Sequence, residues 1–343
     1  MLDDLKLIHS RDKQDALGVA AKSWQQYLHN FNFVSTNSKN FKNLVIAGMG
    51  GSGLAAKFFK NWASLDIPVE VVQDYNLPAY VNEDTLLVTV SYSGNTEENI
   101  SIINQALGLK SKPTVIAITD GGKLLEIAKQ NKLAFIQLPV GYQPRMTFGY
   151  QLRALAEISQ QLGLRNNLIE QLEGAAKKLS LKLTNWQEVR ATKDNAAKKL
   201  SLELVGKSVV VYSSAINFPA AYKWKINFNE NAKNIAWANQ FPEFDHNEFL
   251  GWTSHPIDKP YSVIELRSSF DNSQIIKRFE ITEKLLSGQK PAAEIINLEG
   301  DTWLDQMLFA VALGDFVSIY LAILNNVDPT PVDIIETLKK ELN

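Results

Sequence analysis

Two loops hold the residues whose types and spacing suggest chemistry. Gly48-Met49-Gly50-Gly51-Ser52-Gly53 follows the apolar run Leu44-Val45-Ile46-Ala47, and Ser91-Tyr92-Ser93-Gly94-Asn95-Thr96-Glu97-Glu98 follows Leu86-Leu87-Val88-Thr89-Val90. Each run reads as a buried parallel strand, and each loop opens into a segment of helical periodicity, so both loops stand at helix N-termini. The first N–H groups of a helix lack internal acceptors, and the helix dipole favours negative charge there. Gly50 and Gly51 let a ligand approach the backbone closely, and the hydroxyls of Ser52, Ser91, Ser93 and Thr96 offer hydrogen bonds to phosphate oxygens without a metal or a P-loop lysine. A phosphorylated small molecule is the expected guest. The second loop also has a simpler reading, in which Asn95 and Glu98 form an ordinary helix cap.

A shared ligand requires that the loops meet. An opening amphipathic helical stretch to about Phe33 is followed by alternating strand and helix patterns, with strands near residues 44–48, 68–73, 85–90, 114–119 and 133–138. In a doubly wound order such as 2-1-3-4-5, strands 1 and 3 are neighbours, and their loops converge at the topological switch point. Residues 164–202 read as a charged connecting helical segment. The chain then resumes α/β alternation with strands at 207–212, 234–238, 262–266 and 294–298. The expected division is 1–163, 164–202 and 203–343, giving two α/β units. The second lacks both glycine-serine loops, with Tyr212-Ser213-Ser214 a partial echo, so ligand binding is expected on the first unit and reactive side chains from the second.

The composition, 45% hydrophobic and 21% charged over 343 residues, is that of a globular chain of two ordinary domains. A net charge of -2 without a basic, aromatic-laced block argues against nucleic acid. The absence of cysteine removes disulfide, thiolate and cysteine-metal chemistry and suits a reducing cytoplasm. Met1 to Leu5 has no basic start before a long apolar core, so no signal peptide is expected. Met307 to Leu324, interrupted by Gly314, Asp315 and Ser318, reads as a buried helix rather than a membrane span.

The two loops resemble those of the sugar isomerase (SIS) domain. The resemblance widens with Pro144-Arg145, with Lys225-Ile226-Asn227-Phe228-Asn229-Glu230-Asn231-Ala232-Lys233, with Pro242-Glu243-Phe244-Asp245-His246-Asn247-Glu248-Phe249-Leu250-Gly251-Trp252, and with Asp328-Pro329-Thr330-Pro331 before Leu338-Lys339. Together these resemble the bifunctional phosphoglucose/phosphomannose isomerases from about residue 20 to the end, the second-half motifs being the more diagnostic. The resemblance implies two SIS-type α/β sandwich domains with parallel, five-stranded, flavodoxin-like sheets flanked by helices. It also implies interconversion of glucose 6-phosphate and mannose 6-phosphate with fructose 6-phosphate through ring opening and a cis-enediol, with no metal or other cofactor.

On this resemblance Glu230 matches the base that carries a proton between C2 and C1, a task suited to a carboxylate in a partly desolvated pocket. Spacing alone favours a solvated helix-end glutamate. Arg145, just after strand 5 on the ligand-bearing side of the sheet, is the candidate for stabilising the enediolate, against the bland reading of a surface arginine in a proline-rich loop. His246 matches the ring-opening histidine, which in this family comes from the other subunit of a homodimer. Lys339 falls on the family's assisting lysine, with Lys340 the alternative register. Thr330 is a weaker candidate for admitting the C2 epimer, while His9, His29 and His255 match nothing.

Three rivals remain at this level, the nearest being another SIS-domain sugar-phosphate isomerase that uses the same enediol chemistry. Gly48-x-Gly50-x-x-Gly53, with Asp74 about twenty residues on, satisfies the dinucleotide fingerprint, although the hydroxyl-rich second loop suits a compact phosphate better. A non-catalytic sugar-phosphate sensor would keep the loops but has no need of Glu230 and His246, and the first forty residues show no convincing helix-turn-helix.

Overall fold

The structure, a computed structural model, describes residues 1–34, 39–254 and 260–342. It opens with three short helices, α1 (Leu5–Arg11), α2 (Ala16–Ala21) and α3 (Ser23–Gln26), in place of one long amphipathic stretch. Asp12 stops the first helix, because its carboxylate accepts the N–H groups of Ala16 (2.7 Å) and Leu17 (2.9 Å) and so starts a new one. Asp15 then takes a left-handed turn at φ 54°.

Regular alternation follows: β1 (Asn43–Ala47), α4 (Gly50–Ala63), β2 (Val69–Val72), β3 (Thr85–Val90), α5 (Glu97–Gly108), β4 (Thr114–Thr119), α6 (Gly122–Gln130), β5 (Ala134–Gln137) and α7 (Phe148–Gln161). The five strands are parallel in the order β2-β1-β3-β4-β5. Leu44 to Ala47 and all of β3 are buried, as expected for inner strands covered on both faces. Ala47 lies opposite Thr89, so the chain leaves β1 and β3 side by side.

The later elements are α8 (Leu168–Leu183), α9 (Ala196–Glu203), β6 (Ser208–Ser214), α10 (Phe218–Glu230), β7 (Ala236–Phe241), α11 (Glu248–Gly251), β8 (Tyr261–Arg267), α12 (Ser273–Leu285), β9 (Ala293–Asn297), α13 (Trp303–Leu324) and α14 (Asp333–Leu342). Their parallel sheet has the order β7-β6-β8-β9. The expected α/β class with two helix-flanked parallel sheets is present, but among the described residues the second sheet has four strands rather than five. The chain after β9 is taken by α13, whose 22 mostly apolar residues make too long a run for a strand. By length and composition α13 could cross a membrane, yet 89% of its apolar window is buried inside the fold, where it serves as the core helix. Its start is fixed by a reciprocal cap between Thr302 and Asp305.

Two compact units emerge, Ser23–Lys177 and Met1–Lys22 with Lys178–Asn343. They differ from the expected division at 163 and 202. The first 22 residues belong with the second half because α2 packs on α13 and the Arg11 guanidinium donates to the Ile323 carbonyl (2.5 Å). The charged segment is not separate either: the division falls inside α8, and α9 packs against α13.

Among the ionisable groups enclosed in the second unit is a carboxyl on an inner strand. Glu265 on β8 has Oε2 bonded to Arg267 Nε (2.9 Å) and Nη2 (2.6 Å), while Oε1 has no hydrogen-bond partner among the described residues. Burial pushes this carboxyl up to about 7 despite Arg267, with Glu283 adding to the rise. A raised carboxyl binds its proton more tightly folded than unfolded. Its stabilising contribution is therefore full below the ordinary glutamate range and is lost as pH rises through about 7. Glu265→Gln, which still offers Arg267 an acceptor, should flatten the dependence of urea stability on pH between 5 and 8. Relative to the native chain the variant should gain at pH 8; an unchanged slope would show that Glu265 stays ionised throughout.

Candidate functional site

The two loops of the first unit meet. The backbone N–H of Tyr92 donates to Ser52 Oγ (3.4 Å), and a Cβ placed on Gly48 would stand 3.0 Å from the Val90 carbonyl oxygen. Beneath them the buried amide of Asn99 donates to the carbonyls of Ala47 (3.0 Å) and Val90 (3.2 Å), the last residues of β1 and β3. One side chain thus fixes the spacing of both strand ends. Neither α4 nor α5 has a side-chain cap bond at its start among the described residues, so no capping side chain competes with an anion there, although in α4 the Ser52 and Gly53 N–H groups already donate to the Met49 carbonyl (2.9 and 3.1 Å). The Asn95–Glu98 cap of the simpler reading does not form; Thr96 stands at the cap position, and Asn95 Oδ1 instead accepts the N–H of Lys123 (3.1 Å).

Each loop residue has a definable part. Gly50 begins α4 at φ +49°, with open space where a side chain would stand. A Cβ on Gly51 would press on Arg145 Cα (3.1 Å) and the Pro144 carbonyl oxygen (3.2 Å), so glycine there admits the Arg145 segment to the loop. Ser52 is buried beneath the second loop, Ser91 Oγ lies 2.8 Å from Thr96 Oγ1 and accepts the Gly94 N–H (3.1 Å), and Ser93 is half-buried. Arg145 itself is buried, in a 3-10 turn Pro144–Met146 after β5, which sets aside the surface reading. Tyr92 ties that segment down: its hydroxyl donates to the Pro139 carbonyl (2.8 Å) and accepts the Tyr142 N–H (3.0 Å). Asp74, the acid of the dinucleotide alternative, turns its carboxylate onto the adjacent Tyr75 N–H (2.6 Å).

Within the second unit, Glu230 is the last residue of α10 and is half-buried. That helix is locked to α13. Trp224 Nε1 donates to the Ala310 carbonyl (2.7 Å), its ring fills the space over Gly314, and Lys223 and Asn227 both donate to Asp315 Oδ1 (2.5 and 2.6 Å). Around Glu230, Asn229 Oδ1 accepts the Ala236 N–H that begins β7 (3.0 Å), and the Asn231 amide donates to Ser318 Oγ (2.9 Å). Lys233, at φ +50°, donates to the carbonyls of Glu230 (2.9 Å) and Asp328 (2.7 Å). The flanking residues of the motif thus build the fold.

His246 ends the 3-10 turn Glu243–His246 and is exposed on the single chain. Its neighbours hold the turn: Phe244 is buried among Tyr212, Phe241 and Phe249, Arg278 Nη1 donates to Asp245 (2.5 Å), and Glu248 accepts from the Tyr212 hydroxyl and from Asn239 (2.6 Å). Lys339 and Lys340 both fall in α14, with side chains outside the described residues. Thr330 is buried just before that helix. His9 pairs with Glu188 (3.0 Å), which raises its pKa, and His29 packs edge-on against Tyr150, where burial lowers it; His255 lies outside the described residues. Asn99 and Tyr92 are the positioning residues that sequence reasoning did not single out. Asn99 offered only an amide within an otherwise apolar helix face, and Tyr92 only its place between two serines.

Residues 39–140 match the SIS domain family, and residues 193–342 match the bacterial phospho-glucose isomerase C-terminal SIS domain. These matches place the chain among the proteins built from sugar isomerase domains. A bifunctional phosphoglucose/phosphomannose isomerase of Aquifex aeolicus is 34% identical, with the alignment covering 88% of this chain and 91% of the relative. A D-glucosamine-6-phosphate 4-epimerase of Sulfolobus acidocaldarius is 32% identical over 69% of this chain and 75% of its own length. In fold, a glucose-6-phosphate isomerase like protein from Thermus thermophilus superposes with a TM-score of 0.68 at 17% identity, covering 99% of this chain and 98% of that one. The chain belongs to the bifunctional phosphoglucose/phosphomannose isomerase family.

Asn99→Leu keeps the bulk and removes both donations, leaving two strand-end carbonyls without this partner. It should cost about 2 kcal/mol in urea unfolding and weaken inorganic phosphate binding roughly tenfold by calorimetry. Native-like phosphate affinity in a folded variant would show that the loops hold their spacing without the amide.

Proposed function

We propose that this protein interconverts fructose 6-phosphate with glucose 6-phosphate and with mannose 6-phosphate, by ring opening and proton transfer through a cis-enediol. The observation that carries the reading is the end of α10, where Asn229, Asn231 and Lys233 tie the helix terminus to the fold and so hold the half-buried Glu230 in a fixed place. Such a group can take a proton from C2 and return it to C1 with little movement. The hexose 6-phosphate is assigned to Gly50, Gly51, Ser52, Ser91, Ser93 and Thr96, and the enediolate charge to Arg145. Lys339 assists ring opening in this reading.

His246 receives the ring-opening role as a residue donated to a second copy in a homodimer. Its exposure on the single chain, at the end of a turn held by Phe244 and Asp245, supports that assignment. The cytoplasm is the proposed compartment, in keeping with the cysteine-free sequence.

The test is an NMR assay of fructose 6-phosphate in D2O, without nucleotide and with chelator, following both aldose phosphates. Both should form and carry deuterium at C2, because an enediol exchanges the migrating proton. Glucosamine 6-phosphate should compete weakly and give no 4-epimer; rapid 4-epimerisation would instead align the protein with the epimerase relative. Glu230→Gln should retain fructose 6-phosphate binding and lose ~10³-fold or more in kcat. Mixing Glu230→Gln with His246→Ala chains should recover part of the activity if each site takes its histidine from the partner. No recovery in verified mixed dimers would place both residues in one chain's site.

A further inference from the structure

The second unit repeats the strand arrangement of the first around a different occupant. In β7-β6-β8-β9, strands β6 and β8 hold the central adjacent places that β1 and β3 hold in the other sheet. The segments leaving β6 and β8 are therefore the counterparts of the two glycine-serine loops, and both again lead into helices, α10 and α12. At this point the side chain of Asp271 lies between them. Its Oδ1 accepts from Ser214 Oγ (2.5 Å), the last residue of β6, and from Asn217 Nδ2 (2.8 Å). Its Oδ2 accepts from the Ser268 N–H (2.9 Å) just past β8.

All four residues are at least nine-tenths buried, and the donors are held in place from behind. Trp303 Nε1 donates to Asn217 Oδ1 (2.8 Å), which turns the Asn217 amide N–H toward the carboxylate. Ser268 Oγ is engaged with Gln306 Oε1 (2.7 Å), which leaves its backbone N–H for Asp271. A hydroxyl, an amide and a backbone N–H converging from two strand ends form a receptor for a small oxyanion. Its charge is supplied by the chain itself.

We propose that the second unit contains an oxyanion site equivalent to the phosphate cradle of the first, filled by the Asp271 carboxylate, so that each chain offers one phosphate site instead of two. Removing that carboxylate opens the second site to small oxyanions, formate and inorganic phosphate among them. Only the comparison of site numbers rests on the reading of the first unit as a phosphate cradle. The filled site in the second unit stands on its own contacts.

The experiment uses full-length Asp271→Gly, with Asp271→Ser in reserve should the glycine chain not fold, and Asp271→Asn as a control that refills the space. Thermal melts in formate and in phosphate, each against chloride at equal ionic strength, are paired with calorimetric titration of inorganic phosphate. The glycine or serine variant should melt roughly 5 °C below the native chain in chloride, recover most of that loss in formate or phosphate, and bind one more phosphate per chain than the native protein. The asparagine variant should not recover. If the opened variants bind no more phosphate than the native chain and melt alike in oxyanion and chloride, the proposal is overturned. If the native chain binds none and the opened variant one, the proposal stands while the assignment of the first unit's loops fails.

Discussion

A phosphate dianion held without a metal must be met by many fixed donors at once, and the start of a helix is where a protein has them unpaired. The first unit brings two such starts together, and much of its sequence follows from how closely their backbones meet. Inner strands β1 and β3 must end level, which the Asn99 amide enforces from below. The loop above cannot carry side chains where backbones cross: a Cβ on Gly53 would lie 2.3 Å from the Gly48 carbonyl oxygen, and one on Gly94, at φ +68°, 1.8 Å from that of Gly121. The glycines are thus consequences of close backbone approach as much as of ligand access.

The second unit meets a different constraint, the fixing of the helix end at which Glu230 stands. Helix ends fray unless tied, and α10 is tied along its length to a core helix, at Trp224, Lys223, Asn227 and Asn231. Lys233 closes the end by gathering carbonyls of the helix and of the 328–329 segment. The buried Lys223 ammonium and the Asp315 carboxylate are costly to desolvate singly, so their pairing fixes how α10 lies on α13.

Much of this was legible in the sequence, because parallel strands buried on both faces advertise themselves as apolar runs. The nine strands among the described residues fall within a few residues of their expected places, and the order of the first sheet was readable from the need for two loops to converge. The candidate residues in the loops also lie together, and Arg145 joins them through Gly51. What escaped was decided by contacts distant in sequence. Residues 1–22 look like a preface to the first sheet, yet Arg11 finds its acceptor at Ile323, more than three hundred positions away. Asn99 and Asp271 were equally silent, since nothing local says that an amide will span two strands or that a carboxylate will face a serine from another loop.

The interleaving of the chain has a consequence for how the molecule is made. Residues 23–177 form one uninterrupted unit, with all five strands of their sheet in hand once β5 and α7 have left the ribosome. The other unit joins residues 1–22 to partners such as Ile323 on α13, so that segment cannot complete its contacts until α13 has also been made. Domains generally fold as units during synthesis, the N-terminal one first. Here residues 1–22 instead find their packing partners on α13 only after the whole of residues 23–177 has been made, so the second unit closes around a segment that the first unit separates from its partners in sequence.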